Sequence, residues 1–471
     1  TESRDLLNIY MWGTDFPSYL KYELENSGTQ GGSSTVDKDR MVSFLLKGDY
    51  TYDDRYIFGG SARWDGSSRL APDHRWGLFW SLSGSWNLGK EAFMKPLESV
   101  LTDARLRLSY GANGTLPSGY YSHLSLYSFG YNYNGGTGTV ESSLGAPRLS
   151  WEKNNAFNLG VDFRLFKRFG VTFDYYNRKT TDLLLYKNIS GTTGFSSELQ
   201  NLGSMRNTGF ELELRSTNLN LSNFSWNTTI SLGHNKNTLL RYDGVQTQEI
   251  DDNWIHQVGY AYLAEYAGVD PKTGKAQYYK NELDAKGNYD RSLTTDHTKA
   301  KPRRIDDKPF DPVVTGGIIN SITWGPVDLN FTLSYSLGGY LFDYAPGLHK
   351  DGNTEVLNLA IPKMYDINKM WKKEGDRAEL PSFNPTNEYI HSTRFLFPTD
   401  HLRLKNLTIG LTAPKKWTNK LGVNTLRVYA SGVNLLTWKD KRLVVDPESR
   451  GFVAYQTPAL RTITFGVQVG I

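Results

Sequence analysis

The amino-acid sequence predicts an all-β protein whose strands form a transmembrane antiparallel β-barrel, and three observations carry this prediction. Apolar and polar residues alternate strictly in long segments, such as Val327–Leu337 and Ile463–Ile471. Each segment is about ten residues or longer, which suits a tilted crossing of a bilayer better than the five or six residues typical of soluble strands. The connections between the segments alternate between short and long.

The alternation places thirteen strands along the chain. We expect them near residues 40–51, 55–65, 75–88, 103–113, 154–165, 169–179, 206–218, 223–235, 312–324, 326–338, 400–412, 424–438 and 460–471. On the strand near residue 400, Leu402 and Leu404 are out of phase with Leu407, Ile409 and Leu411. This change of phase predicts a β-bulge near Lys405 and Asn406, or a strand that begins above the membrane.

The lengths of the connections sort by position. Tight turns fall at Asp53-Asp54, Lys167-Arg168, residues 218–222 and Gly325, and two connections of moderate length fall at residues 89–102 and 413–424. The connections that alternate with these are long: 66–74, 114–152, 180–205, 236–311, 339–399 and 439–459. Bacterial outer-membrane barrels have short periplasmic turns and long outer loops. The sequence therefore predicts that all the long loops lie on one side of a membrane.

Composition agrees with a barrel and excludes several other classes. The 471 residues include 29 Tyr, 12 Trp and 45 Gly, which favour strands and tight turns, and no apolar run is long enough for a membrane-spanning helix. The chain has no cysteine, and its formal net charge of +4 is too balanced to indicate binding to nucleic acid. Trp80, Trp86, Trp324 and Trp438 occupy positions suited to aromatic girdles at the membrane interfaces.

Nine segments of the chain carry a family resemblance. They include RWGLFWSLSGSW (75–86), RLSWEKNNAFNLGVDF (148–163), NLGSMRNTGFELEL (201–214), LRVYASGVNLLTW (426–438) and PALRTITFGVQVGI (458–471), together with residues 31–70, 104–114, 174–185 and 401–411. In this order they resemble the C-terminal part of a SusC/RagA-type TonB-linked outer-membrane transporter of Bacteroidetes. The resemblance covers nearly the whole chain.

The resemblance implies a particular place for this chain in a larger protein. Such transporters have a plug domain, a TonB box and a barrel of 22 strands, so the thirteen strands would correspond to the tenth to the twenty-second. Residues 1–39 would then be an outer loop segment entering the barrel, and residues 40–471 the C-terminal strands with long extracellular loops. The plug, the TonB box and the first nine strands would lie outside this chain.

The resemblance also implies a function. It is TonB-dependent active import of oligosaccharides or oligopeptides across the outer membrane of a Gram-negative bacterium. The expected partners are a SusD-like surface lipoprotein that covers the barrel as a lid, the TonB complex and outer-membrane lipid, with a dimer of transporter–lid pairs as the assembly. Two alternatives stay open. One is a surface carbohydrate-binding β protein without transport activity, built from two packed soluble sheets. The other is an iron-chelate receptor, although the loops lack the clusters of basic residues expected for binding anionic siderophores.

Enzyme motifs such as G-x-S-x-G, H-E-x-x-H and G-x-x-x-x-G-K-[ST] do not occur in the sequence, so we expect neither catalysis nor a cofactor. Candidate substrate contacts are aromatic residues of the long loops. Five tyrosines crowd the 114–152 loop, namely Tyr120, Tyr121, Tyr127, Tyr131 and Tyr133, and Trp254 and His256 lie beside two aspartates. Phenol rings suit sugar faces and peptide backbones, but the alternative that these rings pack the loop itself or meet the lid is favoured, because a long ordered loop needs packing of its own.

Overall fold

The computed structural model describes residues 1–16, 23–241, 259–343, 367–382, 391–453, 456 and 459–471, and its main feature is one antiparallel sheet of fourteen strands. The strands are β1 Glu2–Thr14, β2 Thr29–Tyr52, β3 Tyr56–Ser67, β4 Trp76–Asn87, β5 Leu101–Thr115, β6 Glu152–Leu165, β7 Phe169–Thr181, β8 Ser204–Leu221, β9 Phe224–Arg241, β10 Val314–Trp324, β11 Val327–Leu337, β12 His401–Thr412, β13 Thr425–Lys439 and β14 Thr462–Gly470. Each strand pairs with its neighbours in this order, and β1 and β14 are the two edges.

All thirteen predicted strands are present, with boundaries within about three residues except that β2 begins eleven residues earlier and β9 ends six residues later than predicted. The prediction of an outer loop segment over residues 1–39 differs from the structure, because Glu2–Thr14 form β1 and pair with Thr29–Met41 of β2. The sequence of β1 lacks the pattern of a strand: Leu6 and Leu7 are adjacent, and Ile9–Trp12 are consecutive bulky residues. An alternation of period two is absent there, so the periodicity gave no sign of a strand.

The connections sort as predicted. At one end of the sheet the strands are joined by short turns, including Asp53 and Asp54, both with positive φ, and Gly325, with φ of 54°. The β12–β13 turn at this end holds a short helix, Lys415–Lys420. The other end carries the long loops, which contain small sheets of their own. We call the two ends the turn end and the loop end.

The predicted bulge lies on β12. Leu404 pairs with Leu333 and Asn406 with Thr332 on one side, while Leu404 and Asn406 pair with Leu436 and Val433 on the other. Lys405 is therefore the extra residue relative to β11, whereas on the other side two residues of β13, Asn434 and Leu435, lie opposite it; the predicted β-bulge is confirmed. Because the bulge inserts one residue, Leu402 and Leu404 return to the same face as Leu407 and Ile409.

Most of the fully buried side chains lie in the loops and not in the sheet. The largest core joins three loops, β9–β10, β11–β12 and β13–β14, through Ala261, Leu263, Ile305, Leu341, Phe342, Phe395, Leu396, Phe397, Leu443, Val445 and Val453. A second core joins the β3–β4 and β5–β6 loops around Leu70, Leu149 and Trp151. The loops at this end therefore form a packed layer. Among the described residues, no helix has the length and apolar character needed to cross a membrane.

Candidate functional site

The outward face of the sheet is an apolar belt. On β14 the side chains of Ile463, Phe465 and Val467 are 66%, 81% and 65% exposed, and they continue across the sheet from Val428 and Ala430 of β13. Burial of such side chains is strongly favourable in water, so a soluble fold would cover them. No second sheet of the described residues does so, which argues against the interpretation of two packed soluble sheets.

Aromatic residues mark both margins of this belt. At the loop end, Trp64 lies 4.5 Å from Trp76 and 6.1 Å from Phe44, measured between ring centroids. At the turn end, Tyr56 stacks between Tyr52 and Trp86. The predicted girdle positions Trp324, at the turn end, and Trp438, at the loop end, are outward and more than half exposed. Two aromatic rows at opposite margins are typical of a barrel that spans a bilayer.

The inward face is polar and carries ion pairs whose partners lie on either side of a glycine on the strand between them. Arg107 of β5 donates to Asp162 of β6 and to Asp174 of β7, with N···O distances between 2.7 and 3.1 Å. Gly160 lies between them in the register, and a Cβ there would lie 2.6 Å from the guanidinium and from Asp174. The absent side chain therefore lets one arginine reach two strands away.

A second bridge repeats this device near the turn end. Arg427 of β13 donates through Nε and Nη2 to the two carboxylate oxygens of Asp328 on β11, at 2.9 and 2.6 Å. Gly410 of β12 lies beneath this pair, where a Cβ would clash with both side chains. These ion pairs neutralise charges on the inward face, and such charges would be too costly on a face in contact with lipid.

The β13–β14 loop folds back onto the inner wall through a buried arginine. Arg403, which is 2% exposed, donates to both carboxylate oxygens of Asp446 at 2.8 and 2.9 Å and to Thr437 Oγ1 at 3.0 Å. Glu448 forms an ion pair with Arg403, with 3.0 Å between Nη1 and Oε2, and it accepts hydrogen bonds from Lys405. The loop is thus fixed to β12 at the bulge.

A charged cluster braces the β9–β10 loop. Arg291 donates to both oxygens of Glu265 at 2.6 and 2.8 Å, and Arg303 Nε donates to Oε2 at 2.8 Å. The hydrogen bond from Arg291 is the main reason that the pKa of Glu265 falls to about 2; partial burial opposes this effect, and Arg303 adds to it. The Arg291 guanidinium also lies 3.7 Å from the centroid of the Tyr279 ring.

Two adjoining cavities lie where the inner wall meets the loop layer. The larger, about 370 Å³, is lined in part by Phe310, His401 and Glu448. The smaller, about 210 Å³, is lined in part by Tyr176, Glu211 and Asp311. Both are bounded by Pro312, Thr315 and Arg450. This junction offers carboxylates, a guanidinium and aromatic surface to a polar ligand.

The predicted tyrosines divide into two groups. Tyr120 lies under the Arg69 guanidinium at 4.2 Å, and the Tyr121 hydroxyl accepts the backbone N–H of Lys38 at 2.7 Å. Tyr127 and Tyr131 lie on the hairpin Leu126–Tyr133/Gly136–Ser143 and are 56% and 54% exposed. Tyr133 is on the same hairpin strand. Trp254 and His256 lie outside the described residues. A binding role for any of these residues stays a prediction.

No pattern in the sequence predicted the cavities. Asp311, His401 and Arg450 come from different strands and loops, and only the fold brings them together. Arg403 could have been found, because a charged residue between Leu402 and Leu404 on a strand has to face inward.

The fold and its two faces define the class of the protein. Residues 3–372 match the model of the family described as TonB dependent receptor-like, beta-barrel, so the chain belongs to this family of outer-membrane receptors and transporters. The sheet is accordingly the C-terminal portion of a transmembrane antiparallel β-barrel.

Individual relatives agree with this assignment. The chain is 28% identical to TonB-dependent receptor P3 of Formosa agariphila, over 96% of this chain and 48% of that protein. It is 28% identical to TonB-dependent receptor SusC of Bacteroides thetaiotaomicron, over 98% and 47%. A solved structure of the RagAB peptide transporter covers 99% of this chain with 55% of its own length, at a TM-score of 0.84 and 25% identity. The chain spans about half the length of the curated relatives it matches.

Proposed function

We propose that this chain is the C-terminal wall and loop layer of a TonB-dependent importer of oligosaccharides or oligopeptides in the outer membrane. The observation that best supports this proposal is the combination of an apolar outward belt, a polar inward wall and a packed loop layer at one end only. A wall of this kind separates hydrocarbon from a watery interior through which a polar solute can pass.

A protein partner is part of the proposal. A SusD-like lipoprotein would cover the loop end, and TonB would act through parts of the transporter outside this chain; a dimer of such pairs is the proposed assembly. Support comes from the similarity to SusC and to a structure named as the RagAB peptide transporter. The loop layer also has its own cores, so it offers a preformed surface to a lid.

The proposed substrate is polar. Glu211, Asp311, Glu448 and Arg450 line the cavities at the junction of wall and loops, where Arg450 donates to Asp311 at 3.3 Å. A peptide or a sugar would therefore meet both carboxylates and a guanidinium there. The exposed rings of Tyr127 and Tyr131, on the β5–β6 loop, would add stacking surface for such a ligand. An iron-chelate receptor remains the alternative function within the family.

Binding to the intact receptor–lid complex tests the proposal. The purified complex is incubated with fractionated oligosaccharides, with oligopeptides and with ferric siderophores, and retained ligands are identified by native mass spectrometry. We expect one of the first two classes to be retained; retention of siderophores alone would establish the alternative. Tyr127→Ala with Tyr131→Ala should weaken binding about tenfold, whereas Tyr186→Phe, on a neighbouring loop, should not change it.

A further inference from the structure

Four cationic side chains lie on the outward face of neighbouring strands, at their loop ends. They are Lys153 on β6, Lys179 on β7, Arg206 on β8 and Lys236 on β9, and all four are exposed. They belong to the same alternating set as the apolar belt: on β7 the outward positions run Phe169, Val171, Phe173, Tyr175, Asn177, Lys179. No outward position of these four strands is acidic. We call these four residues the outward cationic patch.

The charges in this patch are poorly compensated. Lys179 and Arg206 are direct register partners, so their Cβ atoms lie about 4.5–5.5 Å apart, and like charges in this arrangement destabilise a sheet. Lys236 is the diagonal neighbour of Arg206, since Arg206 pairs with Thr238 and Lys236 with Thr208. Within the described ranges only Lys153 has an acidic partner, Asp182 at 3.5 Å. An anion placed among these side chains would relieve the repulsion.

The four residues also lie at one depth. Lys153 is two positions towards the loop end from the row of Lys179 and Arg206, and Lys236 is two positions towards the turn end. Barrel strands are tilted, so a line of constant depth crosses the rows diagonally. The short turns shift in the same direction. Phe169, the first residue of β7, pairs with Ser216 of β8, and β8 continues five residues further to Leu221 before its own turn to β9. The patch is therefore level, directly beyond the apolar belt.

We propose that the outward cationic patch binds the phosphate groups of a lipid in the outer leaflet, with its acyl chains lying on Phe157, Tyr175 and Phe210 below. Arg206 can hold a phosphate through two hydrogen bonds, and Lys179 and Lys236 supply flanking charge. The loop-end outward positions of β11–β13 carry Leu337, Leu402 and Trp438 instead, so the binding surface is local. This inference depends on the outer-membrane class of the family and not on the imported substrate.

A lipid titration of the intact receptor tests the inference. The receptor is delipidated in mild detergent, and lipid A carrying its phosphate groups is added while bound lipid is counted by native mass spectrometry. We expect Lys179→Ala/Arg206→Ala/Lys236→Ala to weaken the apparent Kd at least about tenfold, and Lys179→Ala alone about fivefold. The matched control Lys167→Ala/Lys416→Ala/Lys420→Ala removes three exposed charges at the turn end and should leave binding unchanged.

Two further arms identify the ligand. Dephosphorylated lipid A should bind the wild type about as weakly as phosphorylated lipid A binds the triple variant, and millimolar inorganic phosphate should not compete. Equal binding of both lipids would show a contact with acyl chains alone, and effective competition by phosphate would show a free-anion site; either result overturns the proposal. Unchanged heat-modifiable migration on gels confirms that each variant is folded, and if the triple variant fails this check, the single variant decides.

Discussion

At the scale of single residues, glycines on the inward face determine which charges can meet. Gly160 and Gly410 each lie beneath an arginine that reaches a carboxylate on another strand. A strand glycine is normally unfavourable because it contributes no packing and loses more backbone entropy. Here it allows a bidentate ion pair on a wall that has to remain polar. The glycine and the pair are therefore expected to be energetically coupled.

Gly160→Ala tests this coupling. The added methyl group would displace the Arg107 guanidinium, so we expect a loss of about 1 kcal/mol in the free energy of unfolding. In an Arg107→Ala background the same substitution should cost less, since the pair no longer exists and the Asp174 side chain is free to turn away from the added methyl group. Urea unfolding of the four proteins of this cycle, in lipid vesicles, measures the coupling. Equal costs in both backgrounds would contradict it.

Glu265 gives the β9–β10 loop a pH dependence. Its pKa in the folded protein is lowered to about 2, below the ordinary value of 4.5, so its stabilising effect is complete above about pH 4.5 and disappears as the pH falls towards 2. We expect the protection factors for hydrogen exchange in residues 259–311, which correct for the intrinsic pH dependence of exchange, to fall over this range. Glu265→Gln should show faster exchange already at pH 7 and a smaller change on acidification. Asp306→Asn, an exposed substitution on the same loop, is the control.

At the scale of elements, the bulge on β12 decides which face Arg403 and His401 occupy. Deletion of Lys405 would remove the extra residue and turn Leu402 and Leu404 inward and Arg403 outward, towards lipid. We expect this deletion to abolish the folded, heat-modifiable receptor in outer-membrane extracts. Lys405→Ala keeps the residue count and loses only the contact with Glu448, so it should still fold. A folded deletion variant would contradict the assigned register.

At the scale of the whole molecule, the two faces of the sheet are adapted to different solvents. Phe173→Lys places a charge on the outward belt, where insertion near the bilayer centre costs about 2–4 kcal/mol. Thr172→Lys places the same charge one residue away, on the inward face beside Asp162 and Asp174, and should be tolerated. Unfolding free energies in vesicles compare the two variants. A similar loss in both would argue that the outward face does not contact lipid.

The sequence by itself determined the strands, the parity of the loops, the bulge at Lys405 and the two faces, because each of these follows from a period of two and from turn residues along one segment. It missed β1, whose apolar residues run consecutively, and it left the roles of Tyr120 and Tyr121 open. The tertiary structure alone decided the loop cores, the Arg403–Asp446 contact, the cavities beside Arg450 and the alignment of the outward cationic patch. These features depend on register between strands and on packing between loops distant in sequence, and no periodicity within one segment encodes either.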